Sequence, residues 1–365
     1  MKAPPVPVAP VFDSSRALVF ALGVGVPVVT ALALDAELFA VFAGIGAFTA
    51  LTTDPRRSAS IRAIAIALAS LAIFSAAWLG ISLRAHPDIA MALALAIVLP
   101  VGFIPPTLPW FAMVAKLVPV ALLFASQGIA PDPKIGEGFV TGTVAATLFS
   151  LIEARWRGQA ANSSDPRSEF KLLWRGASNG PAYAVAMTAA AALALFAAMQ
   201  IGASRPVWAF VTVLFVMHPQ GVTVVKRLRA RVAGTLAGVV LAGVIVHLTH
   251  SPWVLASIAI AAAAFFPPAL ARGFFASSAV TTLFVLILLD IAFLGVGGDT
   301  QLIVARFLDT LIGCATVLMA VFVLRRWHAW RGTGPSKMSD TDAVEPAHIG
   351  VAGHDGGAAE PGAHL

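Results

Sequence analysis

Long apolar runs separated by short polar segments dominate the chain from about residue 16 to residue 330. An α-helix needs about 17–25 apolar residues to cross the hydrocarbon core of a bilayer. The pattern predicts an all-α polytopic membrane helix bundle of twelve spans. We place these spans at 16–34, 37–53, 61–83, 88–104, 108–127, 136–154, 182–202, 206–220, 230–250, 253–271, 273–295 and 301–324.

The twelve spans divide into two sets of six that share the same landmarks. Phe39-Ala-Val matches Trp208-Ala-Phe at an offset of 169, and Arg62 then aligns with Arg231. Six spans per half is an even number, so both halves enter the membrane in the same orientation. We therefore predict two parallel repeats, residues 16–154 and residues 182–331, related by an axis along the membrane normal.

Three shorter segments complete the predicted organisation. Residues 155–181 join the repeats, and Asp165-Pro166 within them is typical of the start of a helix, which we expect to lie on the inner membrane surface. Residues 1–15 are rich in proline, and the tail 332–365 has no apolar period. Both ends are predicted to be disordered and cytoplasmic.

Composition and charge support a membrane protein with this orientation. Charged residues form 12% of the 365 residues and apolar residues form 59%, which gives a mean hydropathy of +0.88. With a cytoplasmic N-terminus, 19 of the 24 Lys and Arg residues fall in cytoplasmic segments, as the positive-inside rule requires. Because these cations lie in short loops between spans, we expect no nucleic-acid partner.

A small-residue motif predicts close helix packing in the second half. In Arg231-Val-Ala-Gly234-Thr235-Leu-Ala-Gly238, two glycines four residues apart share one helix face. The missing Cβ atoms let a neighbouring helix approach closely, a common device in membranes. A related pattern recurs in the last span and ends at Gly313. We interpret these positions as scaffold residues.

The same region carries a family resemblance. The segment from Trp208 through His218-Pro219 and Lys226-Arg227 to Gly238 resembles the signature of the fusaric acid resistance and aromatic acid exporter family, and Phe42-Ala-Gly44-Ile-Gly46-Ala-Phe48 with Asp54-Pro-Arg56-Arg57 is a weaker version. The resemblance covers nearly all of residues 16–330. It implies proton-driven export of aromatic or related organic acids across a bacterial inner membrane, and distant kinship to plant aluminium-activated malate channels.

The resemblance also bears on partners and on missing parts. Many family members carry a sizeable cytoplasmic domain after each six-span half, whereas this chain has a short linker and a tail. Besides the organic acid, protons and the lipid bilayer, the implied partners are a periplasmic adaptor protein or further copies of the chain.

Charged residues inside apolar spans are the candidate functional residues, since each costs about 2.5–3.5 kcal/mol or more at a span centre. Lys116 and Arg306 are predicted to bind the substrate anion. Asp309 and Asp290 are predicted to carry the coupled proton, and His218 is a candidate relay. Three alternatives stay open: Arg306 and Asp309 only neutralise one another, Asp290 only reaches the outer water, and His218 is an interfacial residue.

Proline pairs are the remaining landmarks. Pro105-Pro106 and Pro267-Pro268 lack backbone donors and are predicted to break their helices, either as hinges or as tight turns.

The sequence contains no nucleophile–base constellation, phosphate-binding glycine loop or metal-ligand spacing. We therefore expect a protein that is not an enzyme and needs no cofactor or metal. The alternatives to an exporter are a passive organic-anion channel between the halves and a non-transporting membrane subunit.

Overall fold

The structure is a computed structural model that describes residues 13–127, 132–157, 163–202, 206–219, 221–292 and 300–330. The described residues form thirteen α-helices: α1 (Ser14–Leu32), α2 (Glu37–Thr52), α3 (Ala59–Ser82), α4 (Pro87–Phe103), α5 (Pro109–Ser126), α6 (Pro133–Arg157), α7 (Pro166–Trp174), α8 (Pro181–Gln200), α9 (Val207–Val216), α10 (Gly221–Leu248), α11 (Pro252–Arg272), α12 (Phe274–Ala292) and α13 (Thr300–Trp330). Of the predicted disordered ends, residues 1–12 and 332–365 lie outside the described residues.

The chain divides into two compact units, residues 1–324 and residues 325–365. In the second unit the description covers residues 325–330, the C-terminal part of α13, where the ring centroids of Trp327 and Trp330 lie 6.0 Å apart. The helices and sites described below belong to the first unit.

The predicted polytopic helical bundle is confirmed at the level of helix content and hydropathy. Nine helices of the described part are long and apolar enough to cross a membrane, and α2, α4 and α9 are shorter apolar helices. The ten residues of α9 rise only about 15 Å, half of a bilayer core. The number of twelve complete spans therefore stays a prediction.

Only one of the two proline pairs breaks its helix, so the prediction for the other was wrong. α4 ends at Phe103, and Pro105-Pro106 lie in the turn before α5. α11 instead continues through Pro267-Pro268 to Arg272. One turn of helix follows this second pair, so few backbone hydrogen bonds are lost, and bundled membrane helices tolerate internal proline.

Glycines set the closest helix contacts on both sides of the bundle. A Cβ atom added at Gly142 of α6 would overlap the carbonyl oxygen of Ala43 in α2. A Cβ atom at Gly234 or Gly238 of α10 would lie 2.5 or 2.6 Å from a carbonyl oxygen of α12, and one at Gly313 would lie 2.5 Å from a carbonyl oxygen of α9. These helices therefore pack backbone against backbone. Thr235, between the two α10 glycines, is fully buried.

The two most extensive contacts between the first six helices and the last six are α1 with α11 and α4 with α8, and smaller contacts join α2 to α12 and α5 to α9. α1 packs against α11, where the rings of Phe20 and Phe266 lie 5.8 Å apart. α4 packs against α8, and a Cβ atom at Gly102 would lie 2.5 Å from the Cα atom of Ala184. Each half therefore contributes its first helix to one contact and its fourth helix to the other.

The linker helix α7 lies where the sequence predicted a helix. The Asp165 side chain accepts a hydrogen bond from the backbone N–H of Arg167 and caps α7. The Glu169 carboxylate accepts the backbone N–H groups of Trp110 (3.4 Å) and Phe111 (3.1 Å), which are free donors at the start of α5. The linker therefore holds the N-terminus of the helix that carries Lys116.

Candidate functional site

A buried ion cluster joins four elements of the first half. We define it as Arg16 in the first turn of α1, Asp54 after the end of α2, Arg62 in the first turn of α3, and Glu153 in the last two turns of α6. All four are at most 9% exposed. The starts of α1 and α3 and the ends of α2 and α6 meet at one end of the bundle, which brings these side chains together.

The ion cluster is balanced and well bonded. The Nη1 atom of Arg16 lies 2.8 Å from Asp54 Oδ2 and 3.0 Å from Glu153 Oε2, and the Nη1 atom of Arg62 lies 2.7 Å from Glu153 Oε2. The Ser150 hydroxyl donates to Asp54 Oδ2 at 2.7 Å. A buried ion pair offsets its desolvation only with good geometry and extra hydrogen bonds, and both are present. The cluster is therefore suited to holding α1, α3 and α6 together.

The charge state of Asp54 links this cluster to pH. Burial alone would raise the pKa of Asp54, but the guanidinium groups of Arg16 and Arg62 hold that pKa below its ordinary value of 3.8. A carboxyl group with a lowered pKa stabilises the folded chain above its unfolded pKa. This stabilisation is lost as pH falls through the folded value.

We therefore expect the thermal unfolding midpoint to fall on acidification below about pH 4. The Asp54→Asn variant should start from a lower midpoint at neutral pH and lose this part of the acid dependence. Unfolding curves of both purified proteins over a series of pH values measure the effect. A constant difference between the two midpoints down to the most acidic pH would contradict a lowered pKa of Asp54 in the folded protein.

A second group of charged and aromatic side chains lies where α5, α8, α9 and α10 approach one another. We call Lys116, Tyr183, Phe215, His218 and Arg227 the cationic site. The Nζ atom of Lys116 lies 5.7 Å from the ring centroid of Phe215. Arg227 lies within electrostatic range of Lys116, Tyr183 and His218. Two cations from opposite halves of the chain are therefore close enough to interact electrostatically, and each lies over an aromatic ring.

The cationic site carries positive charge that the described carboxylates do not offset. None of them forms an ion pair with Lys116 or Arg227. Burial and the two cations, Arg227 first, lower the pKa of His218 to about 4, so its imidazole is neutral at neutral pH. A bound anion would be favoured here because it compensates charges that the protein leaves uncompensated.

An aromatic face also borders the cationic site on α12. The Cζ atom of Arg227 lies 5.6 Å from the ring centroid of Phe274, the first residue of that helix. Lys116 lies over Phe215 and Arg227 over Phe274, so each cation lies over an aromatic ring. The arrangement suits a ligand that has both an anionic group and an apolar ring.

The structure brings together two of the residues predicted from the sequence, Lys116 and His218. Asp290 is sixteen residues along α12 from Phe274, about 24 Å away at the other end of the bundle, and lies near His250. Asp309 is buried in α13. The side chain of Arg306, its predicted partner, lies outside the described residues. The roles given to these residues stay predictions.

Sequence reasoning missed the ion cluster and the contribution of Arg227. Arg16, Arg62 and Arg227 are among the 19 Lys and Arg residues that the positive-inside rule assigns to cytoplasmic segments. That rule does not distinguish solvated side chains from buried ones. Two signals were present: acidic residues at helix ends where arginines accumulate, and Tyr183 as the only tyrosine of the chain.

Metal ligation has no candidate in the described part of the chain. No three of its His, Cys, Asp or Glu side chains are grouped closely enough to hold an ion. The single cysteine, Cys314, is a buried free thiol in α13.

A family model matches most of the second half of the chain. Residues 188–320 match the family model described as fusaric acid resistance protein-like, and the matched segment contains His218, Arg227 and the Arg231–Gly238 motif. The resemblance is therefore confirmed over residues 188–320, and over the first half it stays a prediction. No curated protein and no solved structure matched the chain.

Proposed function

We propose that this multi-pass membrane protein, fusaric acid resistance protein-like over residues 188–320, exports organic acids, with aromatic carboxylates as the favoured class. One observation carries the proposal: Lys116 and Arg227 form a partly buried pair of cations beside Phe215 and Phe274, without an ion-paired carboxylate among the described residues. The cations would offset the hydration that a carboxylate loses, and the phenylalanines would pack on its ring.

The proposal includes a path between two six-helix repeats. The reciprocal contacts of α1 with α11 and of α8 with α4 are those expected for two units related by a twofold axis along the membrane normal. Lys116 belongs to the first proposed repeat and Arg227 to the second, so the cationic site would lie between the two repeats. The excess of Lys and Arg in predicted inner segments supports cytoplasmic termini in a bacterial inner membrane.

Proton coupling through His218 would follow from the same electrostatics. Lys116 and Arg227 disfavour a proton on His218, since their charges lower its pKa. An anion bound between them would offset this repulsion and favour protonation, so that substrate and proton would bind with positive coupling. Asp309, buried in α13, and Asp290, at the far end of α12, are the further candidates for the proton.

On this proposal the chain catalyses no reaction and uses no cofactor. Its partners are the organic acid, protons and the lipid bilayer. A periplasmic adaptor or further copies of the chain are the proposed assembly partners.

Replacing Lys116 with Gln is expected to slow transport by at least about tenfold, because a charged hydrogen-bond donor to the substrate is removed. The measurement is uptake of labelled benzoate into inverted membrane vesicles with and without a proton gradient. The control is Lys134→Gln, at the exposed start of α6, which should transport like the wild type. Wild-type accumulation should require the gradient.

Three other outcomes would contradict parts of the proposal. Benzoate flux through the wild type that ignores the gradient would indicate a passive channel. Absence of flux for benzoate and related acids would contradict organic-acid transport. Equal rates for Lys116→Gln and Lys134→Gln would remove Lys116 from the substrate site.

A further inference from the structure

Arg231 is a buried cation one helical turn beyond Arg227 on α10. It is 7% exposed, and its Nη1 atom donates to the Ser278 hydroxyl of α12 at 3.3 Å. Its Nε–H has no hydrogen-bond partner among the described residues, and none of their carboxylates forms an ion pair with it. An unpaired buried guanidinium donor is costly, so this position calls for a specific explanation.

The first half contains the matching arginine in a different environment. Arg62 precedes Ala65 and Ala69 on α3 as Arg231 precedes Gly234 and Gly238 on α10. In both helices these small residues are buried against the neighbouring helix, α5 in one case and α12 in the other. The two arginines therefore occupy equivalent places relative to a helix-packing face.

The difference between the two places is the supply of carboxylates. The Nη1 atom of Arg62 lies 2.7 Å from Glu153 Oε2 and 3.4 Å from Asp54 Oδ2. Arg231 has a serine hydroxyl as its described hydrogen-bond acceptor. The first half thus surrounds Arg62 with its own acidic residues, whereas the described side chains of the second half form no ion pair with Arg231.

We propose that Arg231 forms a second anion subsite, at which the carboxylate of a transported organic acid takes the place that Asp54 and Glu153 fill beside Arg62. The inference rests on the proposed function, because it assumes that an organic acid enters from the cationic site. Arg227 and Arg231 are four residues apart, about 6 Å along α10, and face Phe274 and Ser278 of α12 in the same order. An anion would therefore pass from Arg227 to Arg231 along one helix face.

Replacing Ser278 with Asp tests the subsite because it supplies the missing carboxylate from within the protein. The new side chain would lie beside the Arg231 guanidinium, where the serine hydroxyl lies now. In the purified full-length chain we expect a higher unfolding midpoint without ligand and loss of the midpoint rise that benzoate produces in the wild type. Ser278→Asn adds the same bulk without the charge and should keep the benzoate response.

Arg231→Gln gives an independent measurement. Removing a charged hydrogen-bond donor should raise the benzoate dissociation constant by about 10-fold to 100-fold. If this variant does not fold, the comparison of Ser278→Asp with Ser278→Asn still tests whether Arg231 binds the carboxylate.

The outcomes separate this inference from the proposed function. A benzoate response that is lost in Lys116→Gln but equal in Ser278→Asp and Ser278→Asn would overturn the Arg231 subsite and leave the cationic site in place. A wild type that shows no response to benzoate or related acids would contradict the proposed function, and with it the subsite. Loss of the response in Ser278→Asp alone would support the inference.

Discussion

Replacing Glu153 with Gln is expected to lower the free energy of unfolding by about 3–5 kcal/mol. The Oε2 atom of Glu153 lies 3.0 Å from Arg16 and 2.7 Å from Arg62, and the side chains of all three are at most 5% exposed. Glutamine keeps the size of the side chain but removes its charge. The two arginines would then face a single carboxylate of the cluster, that of Asp54. Reversible denaturation of the purified protein in detergent measures the loss.

The matched control for this experiment is Arg157→Gln. Arg157 forms an ion pair with Asp13 at 3.3 Å, but its side chain is 56% exposed, so water and salt screen the interaction. Its replacement is expected to change stability by no more than about 1 kcal/mol. Equal losses in the two variants would show that the buried cluster contributes no more than a surface ion pair.

Replacing Gly142 with Ala is expected to destabilise the protein by up to about 3 kcal/mol, the upper part of the range for overpacking. The added methyl group would overlap the carbonyl oxygen of Ala43, and this neighbour is backbone rather than a movable side chain. The backbones of α2 and α6 would have to move apart at this point. The same denaturation measurement applies.

Gly136→Ala is the control on the same helix. Its added Cβ atom would lie 3.5 Å from the ring of Phe74, an ordinary van der Waals contact. Because alanine is the better helix former by about 1 kcal/mol, this variant should be as stable as the wild type or more stable. Similar destabilisation in both variants would contradict the role given to the backbone contact at Gly142, since the added methyl group meets no backbone atom at Gly136.

The candidate site could be predicted from the sequence only in part. Lys116 stood out because a lysine inside an apolar span is costly and therefore informative. Arg227 did not, since it lies in a basic run at a helix end, where cations are common. Its nearness to Lys116 depends on how α5 packs beside α9 and α10. That packing joins helices distant in the sequence and cannot be predicted from a local sequence pattern.

The helical content, the start of the linker helix and the small-residue packing faces could be predicted from local sequence. Each of these depends on interactions within a few residues: apolar length, an N-cap such as Asp165, or the absence of Cβ atoms. The tertiary structure alone decided which arginines are buried against carboxylates. Arg16 is 38 residues from Asp54 and 137 from Glu153, and such partners meet only when distant helices pack. The tertiary structure also decided which proline pair ends its helix, since packing against neighbouring helices determines whether a helix continues through proline.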